Sequence, residues 1–394
     1  MIKDTNSSYH GEPVSCSRRG FFRSISIGAA AGLLWPLTGS SQPMEFEPSK
    51  NNQNDGLIRL NSNENAYGPS PKVAQAIVSA VCSANRYARM KYPALIEQIA
   101  VENHVKPEQV LLGCGSTEVL RMAAFAFLGS GKRLIQASPT FEGIEHYARA
   151  VDSEVISIPL TSTFAHDLDE MHARTNSSSG LIYISNPNNP TASLTPRKDL
   201  EEFIGRLPAS IFVVIDEAYH HYVGQSAMYA SFIEHPLDDE RIIVTRTFSK
   251  VYGLAGLRLG YAVASGRTIQ QMRRFATEDS INAVATQAAG AALADGEGLN
   301  DSIQRNVNDR QEFFNQAMAR SLKPIDSHAN FVMMNTFHPA SDVIEHFRKN
   351  NVLIGRIFLP MDTHIRVSLG TQDQMIAFWR TWDMIPWSKN IMHH

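Results

Sequence analysis

Lys250 follows two hydroxyls, Thr247 and Ser249, and precedes one arginine, Arg258, in the stretch Thr245-Arg-Thr-Phe-Ser-Lys-Val-Tyr-Gly-Leu-Ala-Gly-Leu-Arg258-Leu-Gly260. A lysine set among small apolar residues loses hydration, so its pKa falls and neutral amine becomes available near neutral pH. Such an amine condenses with an aldehyde to a Schiff base. The hydroxyls and the arginine suit a phosphate on the same ligand. An aldehyde that carries a phosphate and is held as an imine to lysine describes pyridoxal 5'-phosphate (PLP).

Other residues fit the ring of that molecule. Asp216 ends an apolar run, where a carboxylate beside a pyridine nitrogen would keep the nitrogen protonated and the ring electron-poor. Tyr219, three residues on, and Asn189 could both hydrogen-bond the ring's 3'-oxygen. Phe141 could stack on the ring. Each has a plainer use: Asp216 as a helix cap, Asn189 as a turn former, Phe141 as core. The order in which all of them occur favours the site.

These residues need a scaffold that gathers them. The runs Val110–Gly113, Arg133–Ala137, Glu154–Pro159, Gly180–Ser185, Ile211–Ile215, Arg241–Thr245 and Arg258–Ala264 read as strands. Segments with helical spacing fall between many of them, notably 142–150 and 197–206. Continuous apolar strands alternating with helices predict an α/β fold, a mostly parallel sheet covered on both faces. Ligands bind beyond the carboxyl ends of such strands, and Asn189, Asp216, Tyr219 and Lys250 all follow strands. Gly115-Ser116-Thr117 opens a helix after Val110–Gly113, where free N–H groups favour an anion.

Upstream, Leu57 to Pro71 is dense in Asn, Gly and Pro and reads as turns, with Tyr67 on a candidate active-site arm. Helices are expected over 71–84 and 94–103, and Tyr92, before a proline, is expected to be extended. Beyond residue 280, helices over 283–293, 298–318, 341–349 and 373–382 interleave with strands over 329–335, 352–357 and 365–369, which predicts a smaller α+β domain. The domain organisation expected is 1–42 as a signal and linker start, 43–84 as linker, arm and first helix, 85–280 as the large PLP-binding domain, and 281–394 as the small C-terminal domain.

The 394 residues carry a formal net charge of −3 and no basic stripe, which speaks against nucleic acid as a partner. The N-terminus carries an address. Ser17-Arg-Arg-Gly-Phe-Phe-Arg23 precedes the apolar run Ile25 to Leu37, in the order of a secretory signal. Paired arginines followed by aromatics resemble the twin-arginine type, which implies a periplasmic protein exported already folded. Cys82 and Cys114 read as buried free thiols, although an oxidising compartment would allow them to pair. No Cys/His cluster has metal-ligand spacing, and His220-His221 and His393-His394 read as surface or loop residues.

From residue 57 onward the sequence resembles the class I/II, fold-type I PLP-dependent aminotransferases, and among them the histidinol-phosphate aminotransferase branch. The resemblance is carried by Leu60-Asn-Ser-Asn-Glu-Asn-Ala-Tyr-Gly-Pro-Ser-Pro71, Tyr92-Pro93, Gly113-Cys-Gly-Ser-Thr-Glu118, Pro139-Thr-Phe141, Asn186-Pro-Asn-Asn-Pro-Thr191, Asp216-Glu-Ala-Tyr219, the Ser249-Lys250 to Arg258 block and Ile365-Arg-Val-Ser-Leu-Gly370. It implies a mostly parallel seven-stranded sheet in the large domain. It implies Lys250 as the catalytic lysine, with Gly115, Ser116, Thr117, Thr247, Ser249 and Arg258 around the cofactor phosphate. Phe141, Asn189, Asp216 and Tyr219 would hold the ring, and Tyr92 would reach the phosphate of a partner subunit, making a homodimer with shared active sites. Arg366 would clamp the substrate carboxylate, Arg356 would meet the substrate's far end, and Tyr67 would close over it. The implied reaction is ping-pong transfer, through pyridoxamine phosphate, between an amino acid and a 2-oxo acid such as 2-oxoglutarate. Histidinol-phosphate transamination and a decarboxylase or oxidase on the same scaffold are alternatives. Two residues depart from the family pattern: Phe141 replaces a usual tyrosine and Ala192 a usual glycine.

Overall fold

The computed structural model describes residues 56–386. The signal, the first part of the linker and His393-His394 lie outside the described residues. The strands are β1 (Ile58–Leu60), β2 (Val110–Gly113), β3 (Arg133–Ser138), β4 (Glu154–Pro159), β5 (Ser179–Ser185), β6 (Phe212–Asp216), β7 (Ile242–Thr247), β8 (Gly260–Ala264), β9 (Lys323–Pro324), β10 (Phe331–Asn335), β11 (Val352–Ile354) and β12 (His364–Ser368).

Seven of them form one sheet in the order β2-β8-β7-β6-β5-β3-β4. Only β8 runs antiparallel to its neighbours. The connection matches this: between β7 and β8, residues 248–259 hold turns and the 3-10 turn Ala255–Leu257 but no α-helix of the kind that usually carries a crossover to a parallel neighbour. Every residue of β2, β5, β7 and β8 is buried, as a sheet covered on both faces demands. Alternate residues serve alternate faces. Ile182, Ile184, Val213, Ile215 and Val244 enter one apolar cluster, and Leu181, Tyr183, Val214 and Ile243 enter the other.

A separate cluster, with Phe347, Phe378 and Trp382 at its centre, covers the antiparallel sheet β12-β10-β9. β11 pairs in parallel with β1, Ile58 against Val352 and Leu60 against Ile354. Part of the Leu57–Pro71 stretch, expected as turns, is therefore a strand. Three residues are too few to show a period of two. The helix Ala283–Leu293 packs Ala285, Ala288, Ala289 and Ala292 into the cluster of the seven-stranded sheet.

Tyr92 corrects another expectation. It is helical (φ −59°, ψ −44°) and opens the helix Tyr92–Glu102. A proline in the first turn gives up no intrahelical bond, so the helix starts through it. Cys82 and Cys114 are unpaired as expected, but Cys82 is exposed and Cys114 half-buried rather than both being core. His220 lies in the β6–β7 connection, a loop position as expected, but it is largely covered, its ring 3.0 Å from Glu234 with 15% of the side chain accessible. Among the described residues no helix is long and apolar enough to cross a membrane, and no cluster of His, Cys, Asp or Glu could hold a metal ion.

Candidate active site

Strand register brings the site together. Ser185 pairs with Asp216 and Asp216 with Thr245, so the last residues of β5 and β6 align with β7 just short of its end. Two residues further, Thr247 pairs with Gly260, and Gly260 with Gly113. The antiparallel turn of β8 thus returns Arg258 to the edge from which Lys250 departs. Around this edge lies a cavity of about 980 Å³.

Twelve of the residues expected at a site line it: Ser116, Thr117, Phe141, Asn189, Asp216, Tyr219, Thr247, Ser249, Lys250, Arg258, Arg356 and Arg366. Gly115 stands behind Ser116 with φ at +74°, and a Cβ there would overlap the Arg258 guanidinium. Two expected residues lie elsewhere within this chain. The Tyr92 hydroxyl donates to the Ile281 carbonyl at 2.8 Å. Tyr67 lines an adjoining crevice and its hydroxyl donates to Asp309 at 3.3 Å. Burial, and then Asp309, push its pKa up to about 12.

Lys250 is held by backbone: its Nζ donates to the Asn63 carbonyl at 2.9 Å. Burial, then the positive charges of Arg366 and Arg258, bring its pKa down to about 8, against the pull of Glu64 and Asp216. The amine is therefore half neutral near pH 8, as a nucleophilic lysine must be. Asp216 is 3% exposed. Burial raises its pKa, but Tyr183 Oη donates to Oδ2 at 2.8 Å and Thr245 Oγ1 to Oδ1 at 3.0 Å, which favour the ionised form. Neither Tyr183 nor Asn63 was singled out by sequence. Asn63 Nδ2 donates to Tyr219 Oη at 3.0 Å, and its place in the Asn-rich stretch Asn61-Ser-Asn-Glu-Asn65 was a signal that it meets the site.

The anion end is built from a helix start and a loop. Arg258 adopts a left-handed backbone (φ +60°) after a short 3-10 turn, and its Nη2 and Nη1 point at Thr117 Oγ1 (3.4 Å) and Ser249 Oγ (3.5 Å). Gly260 lets this loop close on the helix Gly115–Phe127, for a Cβ there would lie 2.8 Å from Ser116 Cα. Behind, the Glu118 carboxylate accepts from Cys114 N–H at 2.6 Å and from Ser280 Oγ at 2.9 Å, fixing the first turn.

Arg366 forms the other end. Its Nη1 donates to Asn189 Oδ1 and its Nη2 to the Asn61 carbonyl, both at 2.7 Å. Its Nε is buried without a partner. Burial brings its pKa down to about 10, with Arg356 acting in the same direction. A buried guanidinium with an unmade bond and no carboxylate of its own invites an anion.

The donor set fits PLP: hydroxyls and an arginine for its phosphate, Asp216 for its ring nitrogen, and a deprotonatable lysine for its aldehyde. The class I and II aminotransferase model matches residues 55–378.

The chain belongs to the class I and II aminotransferase family.

It is similar to the histidinol-phosphate aminotransferase of Caldicellulosiruptor saccharolyticus, 35% identical over 82% of this chain and 90% of that one. The aromatic amino acid aminotransferase of Cutibacterium acnes is 34% identical over 72% of this chain and 80% of its own length. Among solved structures, the histidinol-phosphate aminotransferase of Sinorhizobium meliloti in complex with pyridoxal-5'-phosphate superposes with a TM-score of 0.77 at 26% identity, covering 82% of this chain and 89% of that one. The protein is thus a PLP-dependent aminotransferase with the fold-type I architecture expected.

Proposed function

We propose that this aminotransferase moves the amino group of an amino acid to a 2-oxo acid such as 2-oxoglutarate, outside the cytoplasm and as a homodimer. The observation that carries the substrate half is one cavity holding both a lysine with a depressed pKa and a buried arginine whose Nε lacks a partner. Relatives named for histidinol phosphate and for aromatic amino acids match at nearly the same identity, 35% and 34%, so substrate choice rests on the residues themselves.

Bound PLP supplies an electron sink for the substrate carbon that loses its proton. Ser116, Thr117, Thr247, Ser249 and Arg258 would hold its phosphate, Asp216 its ring nitrogen, Asn189 and Tyr219 its 3'-oxygen, and Phe141 its face. Lys250 Nζ, neutral for part of the population near pH 8, takes the proton from the substrate carbon and returns it during transfer. Arg366 receives the α-carboxylate on its paired N–H groups and so orients the carbon toward Lys250.

Dimerisation is supported by an uncovered apolar surface beside Tyr92: Tyr87 is 84% and Met90 89% exposed. A second copy seated there would explain the tyrosine that family resemblance sends into a partner's site. Export is supported by Ser17-Arg-Arg-Gly-Phe-Phe-Arg23 and the apolar run after it. Twin-arginine carriers move folded proteins, which suits a protein that takes up its cofactor before crossing.

Adding amino acids singly to purified protein tests the chemistry. One donor should bleach the visible cofactor band and a 2-oxo acid should restore it. Release of CO2 with the band preserved would indicate a decarboxylase instead. Light scattering at twice the chain mass and cell fractionation with and without the Arg18-Arg19 pair test the other two parts.

A further inference from the structure

Beyond Arg366 the cavity wall is made by Phe141, Phe358, Ile344 and Ile354, with Arg356 and Glu142 among them. The two charged groups are paired, Arg356 Nη2 lying 2.6 Å from Glu142 Oε2. Glu142 stands immediately before the helix Gly143–Ala150, yet its carboxylate makes no capping bond there. It turns across the cavity to the arginine instead. Arg356 in turn lies 4.3 Å from the centre of the Phe358 ring, and Arg366 lies 4.8 Å from the same ring. Gly355 sets their spacing: its N–H donates to the Arg366 carbonyl at 2.8 Å, and a Cβ there would lie 3.0 Å from Arg366 Cβ. Two guanidiniums therefore share one aromatic ring, and only Arg356 has a carboxylate beside it.

We propose that Glu142 determines side-chain specificity: by pairing with Arg356 it leaves the substrate's far end a wall with no net charge, lined otherwise by apolar side chains, which favours amino acids with large apolar side chains over those bearing a phosphate or a second carboxylate. The inference rests on the reading that Arg366 takes the α-carboxylate. A second arginine left unpaired would draw an anion to the far end. With Glu142 at hydrogen-bond distance, an incoming anion must separate the pair and then lie beside a carboxylate of its own sign. The pair is half-exposed and adds little stability of its own. The discrimination comes from the repulsive element, which penalises the wrong ligand without touching the right one.

The test compares kcat/KM for phenylalanine, aspartate and histidinol phosphate in the holoenzyme, in Glu142→Gln and in Glu142→Gln combined with Arg356→Gln. Calorimetric Kd values for two unreactive acids, 3-phenylpropionate and 3-phosphonopropionate, give a readout independent of turnover. The wild type should prefer phenylalanine to both anionic donors. In Glu142→Gln the anionic-to-apolar ratio should rise about tenfold in kcat/KM and fall about tenfold in Kd, and adding Arg356→Gln should reverse both changes. A ratio that moves less than about threefold in Glu142→Gln, or a wild type that prefers the phosphate ester, overturns the proposal. Arg366→Gln separates the two layers of the reading. It should weaken every ligand by a similar factor, and a variant binding all of them normally would remove the orientation on which the inference rests.

Discussion

A Cβ on Gly115 would overlap Nη2 of Arg258 and lie 2.9 Å from its Cζ, so the backbone of one residue and the guanidinium of the other share a space that admits no methyl group. The contact joins the helix start after β2 to the loop before β8, the two pieces that would hold the cofactor phosphate. It exists because Gly115 takes a φ of +74°, a region that costs an L-residue roughly 1–2 kcal/mol.

Gly115→Ala should therefore act twice. The backbone strain lowers stability, and the displaced guanidinium loses its approach to Thr117 and Ser249. Affinity for PLP is expected to fall by at least about tenfold, the loss of one charge-assisted interaction. Titration of the cofactor-free variant with PLP checks this. Wild-type affinity would show that the position of Arg258 is immaterial to phosphate binding.

The hydroxyl of Tyr183 offers a cleaner test, because this residue touches Asp216 and does not line the cavity. Asp216 is buried, and its hydrogen bonds from Tyr183, Thr245 and the Ala218 N–H oppose the rise in pKa that burial causes. Tyr183→Phe removes one of these donors and so raises the Asp216 pKa further. A carboxylate whose pKa rises is protonated at higher pH, so the acidic limb of kcat/KM should move upward while the plateau falls only several-fold. Asp216→Asn, with no charge at any pH, should cost at least about 100-fold. A Tyr183→Phe profile that superimposes on the wild type would refute the positioning role.

Lys250 carries a prediction about reactivity. Its pKa of about 8 lies below the ordinary lysine value of 10.5. Below about pH 8 the ammonium form dominates and the amine cannot attack; above it the neutral fraction approaches one. Trinitrobenzenesulfonate added to cofactor-free protein should modify Lys250 with a midpoint near 8, ahead of the exposed lysines. Peptide mapping assigns the site. A midpoint with the bulk of the lysines would mean that Arg366 and burial do not tune this amine.

Much of the scaffold was legible from apolar runs, because strands buried on both faces are continuous in Val, Ile, Leu and Ala. The seven strands of the large sheet were found to within a residue or two, Arg258 excepted, which the left-handed turn removes from β8. Shorter pieces were missed. β1 and β9 have too few residues for a period to appear. The helices Leu168–Ala173 and Gly266–Arg273 announced themselves only by their caps, Asp167 accepting from Glu170 N–H and Ser265 from Thr268 N–H. Within the site, residue types with one chemical use were readable. Glu142 and Tyr183 were not, for each acts through a partner distant in sequence, Arg356 and Asp216 respectively. The Ala192 departure has a conformational correlate: its φ is +59°, where glycine would sit without strain.

His166 is 3% exposed, its Nδ1 lies 2.7 Å from Thr195 Oγ1, and its Nε2 has no partner. Burial pushes its pKa down to about 4 from the ordinary 6.5. A base whose pKa is lower in the folded than in the unfolded protein takes up its proton preferentially on unfolding. Stability is therefore complete above pH 6.5 and is lost as pH falls from 6.5 toward 4, by on the order of 3 kcal/mol for this residue. His221 is shifted in the same direction by burial and His220, so the loss has more than one source. In His166→Asn the amide can keep a contact to Thr195 and has nothing to protonate. Urea unfolding between pH 4.5 and 7 should then show a slope shallower by up to about 1.4 kcal/mol per pH unit, the contribution of one proton. An unchanged slope would place the acid sensitivity at His221 and the groups around it instead.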